Sequence, residues 1–221
     1  MLKLITQQNR FDYRGVFTQP LFSLFGEGGK IVQGLYKSFS PYGVTLANIR
    51  NDSLSLSPSD QVLTVNFTTA AYYKFRFDGI ESSVVNFTPQ DLSDIPKLLS
   101  SGDNWLRSAA PDLSFQSHLF ATFSHNRLSE GNSQDFLFNL FNVNAPNVGT
   151  SRGNGIIYHW DVPEYEWLVQ LTIDHSVIVS GGLFIHFIVI TAKDKIDYLE
   201  TVQVGYKLFS EAMTQIGLEF E

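Results

Sequence analysis

The sequence contains no cysteine, and this absence removes several classes of protein. Without thiols the chain forms no disulfides, thiolate zinc sites or iron–sulfur clusters and has no cysteine nucleophile, which excludes a disulfide-rich secreted scaffold. At 221 residues it is long enough to bury a sizeable core without cross-links. A metal site would need histidine, aspartate or glutamate, and we predict neither a metal nor another cofactor.

Basic residues and long apolar runs are also scarce. The 15 lysines and arginines are scattered and are outnumbered by 22 acidic residues, which gives a net charge of −7. Because phosphate binding draws most of its affinity from clustered Lys and Arg, we predict no nucleic-acid partner. The longest apolar run, residues 182–192, is about half of the roughly 20 residues that cross a bilayer. With no recognisable signal peptide, we expect no membrane association and a cytoplasmic location.

The common catalytic motifs are missing too. The sequence has no GxSxG elbow, no phosphate loop ending in Lys-Ser/Thr and no HExxH helix. The catalytic candidates are His159 and Asp161, which lie two residues apart and so on one face of a strand. The alternative is a strand-end histidine that is hydrogen-bonded to a neighbouring carboxylate, and we favour it because no nucleophile can be placed nearby.

Phenylalanine is abundant, with 19 residues in a chain that is only 17% charged. This much apolar surface indicates a second buried surface, either a partner interface or a ligand cavity. The segment "DFLFNLF" at 135–141 has apolar residues around most of a helix, so it either lies between other elements or contacts a ligand or partner. The predicted contact residues are Phe136, Phe138, Phe141, His186 and Tyr206.

Hydrophobic periodicity predicts an α+β fold. "DG" at 78–79 indicates a hairpin, and an amphipathic helix ends the chain. Earlier helices are expected at about 29–39 and from "TPQD" at 88–91, and further strands at 44–49, 53–56, 155–161, 167–175 and 182–192. That helix has apolar residues at three-and-four spacing: Ile196, Leu199, Val202, Tyr206, Phe209, Met213 and Ile216. We expect a curved antiparallel sheet with this long C-terminal helix packed across it, an arrangement that resembles the helix-grip architecture of lipid-binding folds.

The chain also divides into two stretches of similar pattern. The polar stretch "SSGDNW" at 100–105 and "SAAPD" at 108–112 suggest a boundary between an N-terminal α+β half, 1–110, and a C-terminal α+β half, 111–221. Each half is predicted as β-α-βββ-α, so a distant duplication is one interpretation, and a single compact domain is the other.

Strand register tests whether the histidines form one site. Pairing across the turn at 162–166 places His159 opposite Val169 and separates it from Asp174 by roughly 17 Å along the ladder. Pairing the next hairpin places His186 beside Leu171, on the face of His159 but on the order of 12 Å from it. That spacing is too wide for both imidazoles to bind one ion, for which each nitrogen must approach to about 2 Å.

These observations favour a non-enzymatic interaction or assembly protein, expected to be a homodimer or to bind a protein partner. The alternative is a binder of an apolar small molecule, held in a cavity between the C-terminal helix and the sheet. A hydrolase or lyase built on His159 and Asp161 is the third hypothesis.

Overall fold

The structure, a computed structural model, describes residues 1–26, 28–52, 60–88, 90–141 and 155–221. The helices are α1 (Phe22–Phe25), α2 (Gly28–Phe39), α3 (Asp91–Ala109), α4 (Ser133–Phe141) and α5 (Tyr198–Gln215). The strands are β1 (Leu2–Phe17), β2 (Ile49–Asn51), β3 (Val62–Asn66), β4 (Ala71–Arg76), β5 (Gly79–Val85), β6 (Phe115–Leu128), β7 (Ile156–Val162), β8 (Trp167–His175), β9 (Leu183–Thr191) and β10 (Leu218–Phe220).

The strands form one curved sheet in the order β2-β3-β4-β5-β1-β6-β9-β8-β7. The sheet is largely antiparallel, although β10 pairs with β1 in parallel. The predicted α+β class with a C-terminal helix across the sheet is therefore confirmed. None of the helices in the described ranges is both long and apolar enough to cross a membrane.

The chain divides into two compact units. Unit 1 comprises Met1–Arg10, Ala121–Val189 and Gln203–Glu221, and unit 2 comprises Phe11–Phe120 and Ile190–Val202. The division into halves at residue 110 and the duplication stay predictions.

In unit 2, α2 and α3 cover the sheet formed by β3, β4 and β5. Helix α2 buries Ile31, Leu35 and Phe39, which recur at every fourth residue, and the Phe39 ring lies 5.1 Å from that of Tyr73. The polar stretch at 100–105 was expected to follow the preceding helix, but α3 continues through it to Ala109. The reason is that buried positions at 95, 99, 102 and 106 keep helical spacing beneath the polar residues.

The strands of unit 2 agree in part with the sequence patterns. The predicted hairpin is confirmed, with Arg76 paired to Gly79 across the Asp78 turn. The stretch predicted as a strand at 44–49 instead contains a 3-10 helix at Leu46–Asn48 followed by the short β2. The strand predicted at 53–56 lies outside the described residues.

In unit 1, β7, β8 and β9 form where the sequence predicts them, but the β7–β8 register and the buried face of β9 differ from the prediction. His159 pairs with Gln170 rather than Val169, because Val162 and Trp167 close the turn. On β9 the buried residues are Leu183, Ile185, Phe187 and Val189, so His186 lies on the other face from the one predicted beside Leu171. Both alternating sets of β9 are apolar, and periodicity therefore could not choose between them.

Candidate functional site

Four aromatic rings lie side by side on β6 and β9 in unit 1. The centroids of Phe123 and Phe184 are 6.3 Å apart, and that of His186 lies 6.0 Å from each of them. The His125 ring lies 5.0 Å from that of Phe184. We call these four residues the aromatic row.

The aromatic row occupies the sheet face that α5 does not cover. Residues 184 and 186 alternate with Phe187, whose ring packs 5.1 Å from that of Phe209 on α5. Because successive side chains of a strand point to opposite faces, the row faces away from this helix. Phe123, Phe184 and His186 are half-buried, whereas His125 is buried. The row therefore keeps part of its ring surface accessible.

Arg10 lies against the aromatic row, and a hydrogen bond holds the His125 imidazole within it. The guanidinium carbon of Arg10 lies 5.4 Å from the centroid of Phe123, a cation–π arrangement. Ser176 Oγ accepts backbone N–H groups from Ile178 and Val179, so its own hydroxyl donates to His125 Nδ1 at 2.9 Å. Burial lowers the pKa of His125, which keeps its imidazole neutral near neutral pH.

The catalytic candidates His159 and Asp161 are both exposed on β7. They share the face of Gln170 and Leu168, their partners on β8. Among the described residues, neither His159 nor Asp161 is hydrogen-bonded to a side chain that could act as a nucleophile. No group of three or more potential metal ligands occurs in the described ranges. Their role in catalysis stays a prediction.

The predicted contact residues other than His186 do not join the aromatic row. On α4, Leu137 is buried while Phe138 is 47% exposed, and Phe136 is half-buried. Phe141 ends α4, and its side chain lies outside the described part of the structure. Tyr206 on α5 was expected within the buried stripe but is 39% exposed, because Val202, Phe209 and Met213 form a narrower stripe. Their contact role stays a prediction.

Unit 2 contains another side-chain cluster, which is polar and buried. Tyr13 Oη lies 2.8 Å from His118 Nδ1 and 3.1 Å from Tyr198 Oη, and His118 Nε2 lies 3.3 Å from the Asp194 carbonyl oxygen. Because a carbonyl can only accept, His118 donates from Nε2 and accepts at Nδ1. Tyr13 therefore donates to His118, and Tyr198 donates to Tyr13. We call these three side chains the tyrosine–histidine chain.

An ion-pair cluster fixes Asp194, whose carbonyl oxygen accepts the hydrogen bond from His118. Arg107 Nη2 donates to the Asp194 carbonyl at 2.8 Å, and Arg107 Nε donates to Asp103 Oδ2 at 3.1 Å. The carboxylate of Asp194 accepts the backbone N–H of Phe115 at 2.7 Å. The segment after β9 is thereby fixed to α3 and β6.

Burial sets the protonation states of the tyrosine–histidine chain. It lowers the pKa of His118 to about 4 and raises the pKa values of Tyr13 and Tyr198. The three groups are therefore neutral around pH 7. Their side chains are at most 3% exposed, so a substrate cannot reach them, and the chain is structural in character.

Sequence reasoning missed both clusters. Each combines strands that are distant in sequence, so register had to be known first. The signals were present: Asp103 and Arg107 are four residues apart, and His118, His125 and His186 each interrupt an apolar strand.

Two cavities lie on the surface of unit 2. An open cleft of about 700 Å³ lies between the segment 19–24 and the segment 109–114. A smaller one, of about 450 Å³, is lined by polar residues that include Asn48, Arg50 and Asn66. Neither is lined by α5, where the apolar-ligand hypothesis expected its cavity.

Comparison with known proteins gives a weak structural similarity. No family model matches the chain, and no curated protein matches it either. A solved structure of a rolling circle replication initiator protein from Geobacillus stearothermophilus is similar at 10% sequence identity, with a TM-score of 0.34. The similarity covers 97% of this chain and 85% of that one. At these values it assigns no activity to the chain.

This neighbour nevertheless disagrees with two of our predictions. The neighbour is a replication initiator, so the predicted non-enzymatic interaction or assembly protein and its apolar-ligand alternative are wrong by this comparison. The partner prediction, a homodimer or protein partner with nucleic acid excluded, is corrected by the same finding. That prediction considered only clustered Lys and Arg, which bind phosphate, and left out stacking on bases, which depends on local aromatic surface.

Proposed function

We propose that unit 1 binds unpaired nucleobases by stacking them on the aromatic row. The observation that carries the proposal is the placement of Phe123, Phe184 and His186, half-buried, beside Arg10 on the sheet face opposite α5. Aromatic rings and arginine planes on a sheet are a general platform for unstacked bases. Each base stacked on such a ring contributes about 1–3 kcal/mol.

The charge of the protein limits the kind of nucleobase ligand. A net charge of −7 repels a polyanion, so stacking rather than phosphate neutralisation must supply most of the affinity. Arg10 is the cation beside the row, and each neutralised phosphate of a single strand contributes a slope of about −0.7 to the salt dependence. We therefore expect binding to short single strands or free nucleotides with a weak dependence on salt.

The experiment compares two Phe→Ala variants in the same unit. Phe184→Ala removes the central ring of the aromatic row, and Phe138→Ala removes an exposed ring on α4 as the matched control. Binding is followed by the fluorescence anisotropy of a labelled oligothymidylate of about ten nucleotides, a length within the site sizes of single-strand binders. We expect Phe184→Ala to weaken binding at least about fivefold, corresponding to one lost stack of 1 kcal/mol, and Phe138→Ala to leave it unchanged.

Two competitors identify the source of the base. A mononucleotide that displaces the oligonucleotide at equal concentration of bases identifies the ligand as a free nucleotide, while weaker displacement identifies a single strand. A duplex of the same sequence should compete poorly because its bases are already stacked. Absence of binding by both single strand and mononucleotide, or equal binding by Phe184→Ala and the wild type, would refute the proposal.

We also propose that the protein acts in the cytoplasm. The lack of cysteine supports this location because proteins of oxidising compartments commonly use disulfides. Fractionation of the native host followed by immunoblotting tests it, and recovery from an extracytoplasmic fraction would contradict it.

A further inference from the structure

Two buried polar atoms of unit 2, Tyr73 Oη and Asp103 Oδ1, have no hydrogen-bond partner within the described residues. Tyr73 is 0% exposed, and the Asp103 side chain is 14% exposed. Buried groups of this kind are paired in native proteins with protein atoms or with ordered water. The phenol offers a donor, and the carboxylate oxygen requires one.

Both atoms border the same turn of α3. A Cβ added at Gly102 would lie only 2.7 Å from Tyr73 Oη, so this hydroxyl rests against the backbone of residue 102. Asp103 is the next residue, and its other oxygen, Oδ2, already accepts from Arg107. The absence of a side chain at Gly102 thus leaves room for the Tyr73 hydroxyl against α3.

We infer that an internal water molecule binds between Tyr73 and Asp103, accepting the phenol proton and donating to Asp103 Oδ1. Burial and, after it, electrostatic interaction with Tyr198 and Asp103 raise the pKa of Tyr73, so Tyr198 belongs to the same surroundings. Tyr198 donates its own proton to Tyr13, and its lone pairs can accept the second proton of the water. Buried waters typically make about three such bonds. The water thereby joins the ion-pair cluster of Asp103 and Arg107 to the tyrosine–histidine chain.

A high-resolution crystal structure tests the site directly. We expect a density peak at about 2.7–3.2 Å from both Tyr73 Oη and Asp103 Oδ1. A direct hydrogen bond between the two side chains would overturn the inference, as would a gap without density between them.

A double-mutant cycle in solution tests the coupling that the water creates. Tyr73→Phe and Asp103→Asn each remove one of its partners, so their effects on the unfolding equilibrium constant should deviate from a simple product by at least about fivefold. The control pair is Tyr42→Phe with Asp103→Asn, because the Tyr42 hydroxyl bonds Ser101 on the same helix. The control effects should multiply, and a Tyr73–Asp103 pair that also multiplied would overturn the inference.

Discussion

The two units use the same residue types on a sheet but bury them to different extents. In unit 2, Tyr13 and His118 are 1% and 0% exposed and are joined by a hydrogen bond to each other. In unit 1, Phe184 and His186 are half-buried on a face that α5 does not cover. Burial with satisfied polar atoms makes the first set a stability element. Partial exposure of ring surface makes the second set suited to binding.

Truncation of one ring in each unit should produce the largest contrast. Tyr13→Ala removes a buried ring together with the hydroxyl that bonds His118, so we expect a loss of about 3–5 kcal/mol in the free energy of unfolding. Phe184→Ala removes a half-buried ring, and we expect a loss of less than about 2 kcal/mol. Urea unfolding followed by circular dichroism measures both values.

If Tyr13→Ala does not fold, Tyr13→Phe keeps the contrast measurable. It retains the ring but leaves His118 Nδ1 without its donor, which should cost about 1–3 kcal/mol. A Phe184→Ala variant as unstable as the Tyr13 variants would break the distinction between the units.

The elements were predictable where one apolar face dominates the pattern. Helix α2 was predicted because Ile31, Leu35 and Phe39 repeat at helical spacing, and the β4–β5 hairpin because "DG" fixes its turn. The buried face of β9 was not predictable, because both alternating sets of its side chains are largely apolar and either face could be buried. Periodicity decides a face only when the two faces differ in polarity.

The functional sites were less accessible to sequence reasoning for a different reason. His186 was named as a contact residue, yet its neighbours Phe123 and His125 come from a strand about 60 residues away, and only sheet order brings them together. The partners of His118, Tyr13 and Tyr198, lie near opposite ends of the chain. Side-chain clusters of this kind depend on tertiary pairing that no local pattern encodes.

The pH dependence of stability provides the next contrast. The folded-state pKa of His118 is about 4, below its ordinary value of 6.5, so the unfolded chain takes up this proton first as the pH falls. The contribution of His118 is therefore complete above about pH 6.5 and is lost between pH 6.5 and 4, by about 3 kcal/mol for this shift.

Urea midpoints of wild type and His118→Gln between pH 7 and 4 measure this loss. The variant should show a shallower decline over that window, because the remaining decline comes from other groups, including His125 with its lowered pKa. Parallel curves for the two proteins would show that His118 titrates normally and is not held neutral by unit 2.

The smallest effects come from one substitution made in the middle of one helix in each unit. Gly102→Ala in α3 of unit 2 would place its Cβ 2.7 Å from the hydroxyl of the buried Tyr73, so the rigid ring must shift, at a cost of about 1–3 kcal/mol. Gly205→Ala in α5 of unit 1 would place its Cβ 3.6 Å from Val189, an ordinary contact, and should stabilise by about 0.5–1 kcal/mol through helix propensity. Thermal unfolding of the two variants measures whether each substitution lowers or raises the stability. Equal signs would mean that the packing of Tyr73 on α3 is not the constraint that separates the two helices.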